Sequence, residues 1–110
     1  MPEARASREV IVRTEDWQAA LRFYGSLLGF PVSYRAEKMV GFETGAFCLY
    51  VEQGAAHGPV FEYLVPDLAA MKAKLLAAGC ILLQEDPDIP RCYLQDPFGV
   101  VFNLGQAPGR

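Results

Sequence analysis

Three charged residues stand on segments that otherwise have the apolar, β-branched character of strands. Glu9 and Arg13 flank the run at 10–12, and Glu62 lies inside the run at 60–65. Successive strand residues point to opposite faces, so Glu9 and Arg13 share a face. Because a buried charge is costly unless it is paired, these residues form ion pairs, stay hydrated at a strand end or subunit surface, or bind a ligand. In a binding site, Arg13 would meet an anionic group, and Glu62, together with Glu9, a cationic or hydroxyl-bearing one.

Aromatic residues recur on the strand-like segments. An aromatic wall suits a pocket for planar or sugar-bearing compounds, and packing in the core is the other common role of such side chains. The candidates are Tyr34, Phe42, Tyr50 and Tyr93.

The remaining reactive residue types form no known catalytic motif. The single histidine, His57, lies in a Gly/Pro-punctuated stretch at 54–59, and neither a Ser-His-Asp nor a Cys-His arrangement can be built around it. We interpret His57 as a hydrated loop residue, with metal ligation as the alternative. Cys48, Cys80 and Cys92 lack zinc spacing, so we expect reduced thiols in the core.

The composition is typical of one folded domain. With 110 residues, of which 52% are hydrophobic and 21% charged, the chain has room for a single core. A formal net charge of −3 without a basic run argues against a nucleic-acid partner. No apolar stretch approaches the roughly 18 residues of a membrane span, and the first ten residues lack the features of a secretory signal. We therefore expect no membrane partner and a cytoplasmic location.

The apolar patterns indicate the same series of elements twice. In the first half, a strand over 10–12 precedes a helix that Asp16 caps and Gly29 ends, with apolar residues at helical spacing from Trp17 to Leu28. Three strand candidates follow, at 30–34, 39–43 and 46–51.

After the stretch at 54–59 the pattern restarts. A strand over 60–65 precedes a helix that runs from its cap Asp67 to Gly79. The strand candidates that follow are 81–83, 91–94 and 100–104.

A shift of 51 residues superposes Asp16 on Asp67 and aligns the two series, which indicates an internal repeat. We therefore predict an α+β fold of two tandem βαβββ modules that form a cup-shaped mixed sheet with the helices on its convex side. The expected organisation is a single domain over residues 1–110, with module one at about 8–53, a linker at 54–59 and module two at about 60–105.

The motifs of both modules resemble those of the vicinal oxygen chelate superfamily. The run Asp-Trp-Gln-Ala-Ala-Leu-Arg-Phe-Tyr at 16–24, followed by Leu-Leu-Gly-Phe at 27–30, is similar to the opening of its first module. The segment 67–79 and the turn Asp-Pro-Phe-Gly at 96–99 resemble its second module. The superfamily includes glyoxalase I, extradiol dioxygenases, and fosfomycin- and bleomycin-resistance proteins, and its fold is a cup of paired βαβββ modules.

Metal-binding members of this superfamily resemble one another in four ligand positions, on the first and last strand of each module. Transferred to this sequence by the resemblance, these positions are Glu9, Cys48, Val60 and Asn103. Valine has no lone pair, and an amide is a poor ligand for Zn²⁺, Ni²⁺ or Fe²⁺. The resemblance thus implies a site that has lost its metal, with Glu9 and Cys48 as the remaining metal candidates, and we expect no cofactor.

The resemblance, taken together with the incomplete set of metal ligands, favours a metal-free protein that holds a small organic ligand or drug in the cup. In similar glutathione-using members, an arginine at the position of Arg13 meets the carboxylate of the substrate. The expected ligand-binding residues are Glu9, Arg13, Glu62, Tyr50, Tyr93 and Asn103.

Two other functions fit the same resemblance. One is a metal-dependent lyase, isomerase or dioxygenase that uses Glu9 and Cys48, and the other is a subunit whose sheet serves association only. Exposed sheet edges are usually covered or paired, and chains of similar proteins complete each other's cups. We therefore expect a homodimer.

Overall fold

The computed structural model describes residues 4–86 and 88–108. The predicted domain of residues 1–110 also contains positions 1–3, 87, 109 and 110, which lie outside the described residues. The described chain forms two compact units: Arg8–Val60, and residues 61–108 together with 4–7.

Module one has four strands and one helix. Its sheet has the strand order β2-β3-β4-β1, in which β1 runs parallel to β4 and the other neighbours are antiparallel. The elements are β1 (Arg5–Thr14), α1 (Trp17–Leu21), β2 (Val32–Arg35), β3 (Met39–Glu43) and β4 (Cys48–Gln53).

Module two repeats this arrangement. Its sheet has the order β5-β8-β7-β6, in which β5 runs parallel to β8 and the other neighbours are antiparallel. The elements are β5 (His57–Val65), α2 (Leu68–Ala77), β6 (Ile81–Asp86), β7 (Arg91–Gln95) and β8 (Val101–Gln106). The predicted α+β class and the two tandem βαβββ modules are confirmed.

Both helices begin at the predicted aspartates. Oδ1 of Asp16 accepts from the backbone N–H of Ala19 at 3.2 Å, and Oδ1 of Asp67 accepts from that of Ala70 at 3.1 Å. Each bond satisfies one of the free N–H groups at a helix start. None of the described helices is long and apolar enough to cross a membrane.

Several element boundaries differ from the sequence prediction. The helix of module one is regular only to Leu21 and continues as a wider, π-helical turn over Arg22–Leu27. Gly25 in this turn lies against the ring of Phe42, where an added Cβ would be 3.3 Å from Cε1. Strand β5 begins at His57, so the second half of the predicted linker is strand, with His57 exposed at its start.

Each helix covers one face of its own sheet. Burial of such aliphatic and aromatic side chains contributes about 1.5–3 kcal/mol each. Under α1 the buried residues are Val40, Phe42, Leu49 and Val51, and under α2 they are Val65, Cys92, Leu94, Phe102 and Leu104. The three cysteines are free thiols: Cys92 is buried, and Cys48 and Cys80 are partly buried.

Alternation along the strands sends the intervening residues to the opposite face. On this face of module one, the ring of Tyr50 lies over the backbone of Gly41. A Cβ built on Gly41 would lie 2.8 Å from Tyr50 Cε1 and 3.1 Å from Tyr34 Cβ. The glycine is therefore required by the close approach of the tyrosine ring.

We predict that Gly41→Ala lowers the free energy of unfolding by about 1–3 kcal/mol, because the added methyl group overpacks the site. The matched control is Gly54→Ala, where the nearest atom to the new Cβ would be Arg13 Cδ at 3.7 Å. The control should change stability by no more than about 0.5 kcal/mol. Urea unfolding of both variants measures the difference, and equal stabilities would contradict the assigned contact.

Candidate functional site

A row of four polar or aromatic residues crosses the sheet of module two on the face opposite α2. The row takes one residue from each strand: Glu62 on β5, Asn103 on β8, Tyr93 on β7 and Gln84 on β6. The strand register pairs Glu62 with Asn103, Asn103 with Tyr93, and Tyr93 with Gln84. Three of the predicted binding residues are thus neighbours, and we call these four residues the polar row.

A hydrogen bond joins the first two members of the polar row. Asn103 Nδ2 donates to Glu62 Oε2 at 3.0 Å, which also fixes Oδ1 as the other end of the amide. Asn103 is 0% exposed, and among the described residues its buried Oδ1 has no hydrogen-bond partner. An unsatisfied buried acceptor costs about 1–3 kcal/mol. The amide oxygen of Asn103 therefore lowers the stability of module two.

The carboxylate of Glu62 also has no cationic partner in the described part of the chain. Its side chain is partly buried, and no Lys or Arg of residues 4–86 and 88–108 forms an ion pair with it. Tyr93, on the other side of Asn103, is buried.

The same row in module one has different chemistry. It consists of Ile11, Tyr50, Gly41 and Tyr34, which the register pairs in this order. Ile11 is buried, and the rings of Tyr34 and Tyr50 meet edge to face with centroids 5.9 Å apart. The fold therefore accepts apolar and aromatic residues where module two has Glu62 and Asn103.

The strand register fixes which residues correspond between the modules. The residue two positions before each helix cap pairs with a glutamine, Gln53 in module one and Gln106 in module two. Three residues before these glutamines are Tyr50 and Asn103. The counterpart of Asn103 is therefore Tyr50, which lies two residues from Cys48, the position that the resemblance gave for the last strand of module one.

Cys48 lies in a charged cluster at one end of the sheet of module one. It is paired in register with Glu9 on β1, and its thiol donates to Glu43 Oε1 at 3.5 Å. Arg8 Nη2 forms an ion pair with Glu43 Oε2 at 2.7 Å and thereby lowers the pKa of that carboxyl. Burial, followed by the nearby Glu43 carboxylate, raises the pKa of the Cys48 thiol. The thiol of Cys48 is therefore less acidic than that of an exposed cysteine.

Arg13 is engaged by a neighbouring strand. Its Nε lies 2.8 Å from Glu52 Oε1, and each of the two side chains is 27% exposed. The charged residues were expected to form ion pairs, stay hydrated or bind a ligand, and Arg13 forms an ion pair. The partner was missed because Glu52 lies 39 residues away in sequence.

A family model for the glyoxalase-like domain matches residues 9–105. The chain belongs to the glyoxalase-like family. The predicted membership of the vicinal oxygen chelate superfamily is confirmed. No curated protein matches the sequence.

Solved structures of very different sequence share the fold of this glyoxalase-like domain. A glyoxalase/bleomycin resistance protein/dioxygenase superfamily member from Vibrio splendidus 12B01 is 19% identical, with a TM-score of 0.69 and coverage of 94% of this chain and 99% of that one. A hypothetical protein from Bacillus halodurans C-125 is 9% identical, with a TM-score of 0.72 and coverage of 99% and 98%.

Longer enzymes contain the same fold. Homoprotocatechuate 2,3-dioxygenase from Arthrobacter globiformis is 20% identical, with a TM-score of 0.71 over 96% of this chain and 37% of the enzyme. An extradiol ring-cleaving dioxygenase from B. fuscum is 17% identical, with a TM-score of 0.70 over 96% of this chain and 33% of the enzyme. The glyoxalase-like chain thus spans about a third of these enzymes, and at these identities the likeness concerns the fold.

The donor set of the glyoxalase-like domain does not fit a transition metal. Val60 is buried and offers no donor atom, and Asn103 offers only an amide oxygen, a poor ligand for such ions. Tyr50, rather than Cys48, is the counterpart of Asn103 on the last strand of module one. Among the described residues, no three His, Cys, Asp or Glu side chains are grouped so that they could hold a metal ion.

Two features of the site were not found from the sequence. Gln84 completes the polar row because β6 shifts its register between Leu82 and Gln84, and an irregularity of this kind leaves no clear pattern in the sequence. Gly41 had a detectable signal, since a glycine inside a strand often marks a close backbone approach.

We predict that the Glu62–Asn103 pair is strongly coupled in stability. Glu62→Met leaves the buried amide without its acceptor, and Asn103→Leu leaves the carboxylate without its donor, so each change should cost about 1–3 kcal/mol. The double variant removes both polar groups and should lie within about 1 kcal/mol of the wild type. Urea unfolding of the four proteins measures the coupling, and additive single effects would mean that the pair is hydrated.

Proposed function

We propose that this glyoxalase-like domain binds a small organic molecule, without a metal, on the face of module two that carries the polar row. The observation that carries the proposal is the Glu62–Asn103 pair. It consists of a partly buried carboxylate without a cationic partner among the described residues and a buried amide whose oxygen is unsatisfied.

The comparison between the modules supports a role in binding. At the same two positions, module one has Ile11 and Tyr50, so the fold does not require polar groups there. Binding sites commonly retain residues that reduce stability because the ligand supplies the missing interactions. In module two, the residues of this kind are Glu62 and Asn103 of the polar row.

An aromatic residue completes the proposed site, since Tyr93 belongs to the polar row. Aromatic side chains supply contact area for a planar organic ligand. The proposed setting is the cytoplasm, where the three free thiols stay reduced.

The direct test is to identify a molecule that copurifies with the protein. Native mass spectrometry of freshly purified protein, followed by denaturing extraction, should give one organic compound, and adding that compound back should raise the melting temperature. Glu62→Met should weaken this binding by about 1–3 kcal/mol. A compound that shifts the melting temperature equally in both proteins would bind elsewhere and would contradict the proposed site.

A metal-dependent lyase, isomerase or dioxygenase is the second candidate, favoured by the fold that the chain shares with the two dioxygenases. We predict that protein purified without chelator contains only background Ni, Zn, Fe and Mn by elemental analysis. Cys48→Ala should leave these values unchanged and cost about 1 kcal/mol of stability, as expected for a small, partly buried hydrophobe. A stoichiometric metal that Cys48→Ala removes would establish the second candidate.

We further propose that the protein is a homodimer. Strand β6 is an edge strand with one paired neighbour, β7, among the described residues. Ile81, Leu82 and Leu83 on this strand are 57%, 38% and 50% exposed. Three consecutive exposed aliphatic residues are typical of a surface that a second chain covers.

Light scattering at micromolar concentration should give twice the chain mass of 12.1 kDa. Leu83→Glu should shift the mass to that of the monomer, because it adds a charge to the apolar edge. The control is Leu27→Glu on the helical turn of module one, which is also exposed and should leave the dimer intact. A monomeric wild-type protein would refute the proposal.

A further inference from the structure

The polar row leaves hydrogen-bond acceptors unused. The amide nitrogen of Asn103 donates to Glu62 Oε2 at 3.0 Å, so the Oδ1 end of this side chain is an acceptor without a partner among the described residues. An ionised carboxylate has no donor of its own and accepts through both oxygens. A molecule that satisfies this pair must therefore bring N–H or O–H donors.

The charge of the polar row narrows the chemical class of the bound molecule further. Glu62 forms no ion pair with any Lys or Arg of the described residues. On β7, Arg91 is paired with Gly105 in the next row of the sheet. A carboxylate without an ion pair among the described residues disfavours an anionic group beside it and favours a cation.

A glycine lies beside one oxygen of the carboxylate. A Cβ built on Gly105 would lie 3.6 Å from Glu62 Oε2 and 3.1 Å from Leu64 Cδ2. A side chain there would occupy the space beside the acceptor oxygen and press on Leu64. Gly105 therefore avoids a tight contact with Leu64 and places no side chain beside Oε2.

We infer that the molecule bound in the proposed site is an organic cation, a protonated amine or amidinium, whose N–H groups donate to the carboxylate of Glu62. Asn103 is a positioning residue, because its amide holds Oε2 of that carboxylate. This inference rests on the proposed function and specifies the class of its ligand.

The first experiment uses three probes of matched shape on the wild-type protein: benzamidinium, benzamide and benzoate. Isothermal titration gives the affinities, and NMR shows whether the side-chain amide signal of Asn103 shifts. We expect benzamidinium to bind at least tenfold more tightly than neutral benzamide, and benzoate more weakly than both. Equal or tighter binding of benzoate would overturn the inference.

The second experiment removes the charge without changing the shape of the side chain. Glu62→Gln should weaken benzamidinium binding about tenfold or more and leave benzamide binding nearly unchanged. The control Glu37→Gln makes the same charge change at an exposed position in module one and should have no effect on either probe. Asn103→Leu should reduce the preference of benzamidinium over benzamide, which a purely structural role would not do.

The outcomes separate this inference from the proposed function. If benzamide or benzoate binds and shifts the Asn103 amide while benzamidinium shows no preference, the proposed site stands and its cationic ligand is wrong. If no probe perturbs the polar row at millimolar concentration, the proposed site itself is wrong. Should Glu62→Gln fail to fold, the wild-type ranking of the three probes still decides the charge of the ligand.

Discussion

Each four-stranded sheet can turn only one face toward its own helix, and this constraint organises the whole chain. Side chains alternate between the faces with a period of two residues, so the strands that bury Leu49 and Phe102 under a helix must direct Tyr50 and Asn103 to the other side. The helix-facing side is apolar in both modules and provides the core. The residues on the other side need not be apolar, and they differ between the two modules.

The two modules place unlike residues on equivalent backbone positions. Module one fills its row with a buried isoleucine and two tyrosines in contact, whereas module two carries the hydrogen-bonded Glu62–Asn103 pair. The first arrangement packs apolar and aromatic groups, and in the second, within the described residues, the amide oxygen has no hydrogen-bond partner and the carboxylate no ion pair. Because the fold permits the first arrangement, folding by itself does not require the polar pair.

Two arginines of module one, Arg8 and Arg13, have carboxylate partners within the chain. Arg13 pairs with Glu52, and the thiol of Cys48 donates to Glu43 in a site where burial raises the pKa of the thiol. The binding hypothesis is therefore based on residues of module two.

The sequence by itself determined the fold class, the repeat and the family, because the signals for these lie close together in the chain. The aspartate caps, the helical spacing after them and the alternation of the strands are local, and they placed Asp16, Asp67 and strand β3 correctly. The tertiary structure decided the pairing between distant segments. It joined Arg13 to Glu52, extended β5 back to His57 and made Tyr50, rather than Cys48, the counterpart of Asn103. Alternation could not reveal the last point, since a shift of two residues leaves every side chain on the same face of the sheet. Only the hydrogen-bonded register between neighbouring strands shows that Tyr50, and not Cys48, corresponds to Asn103.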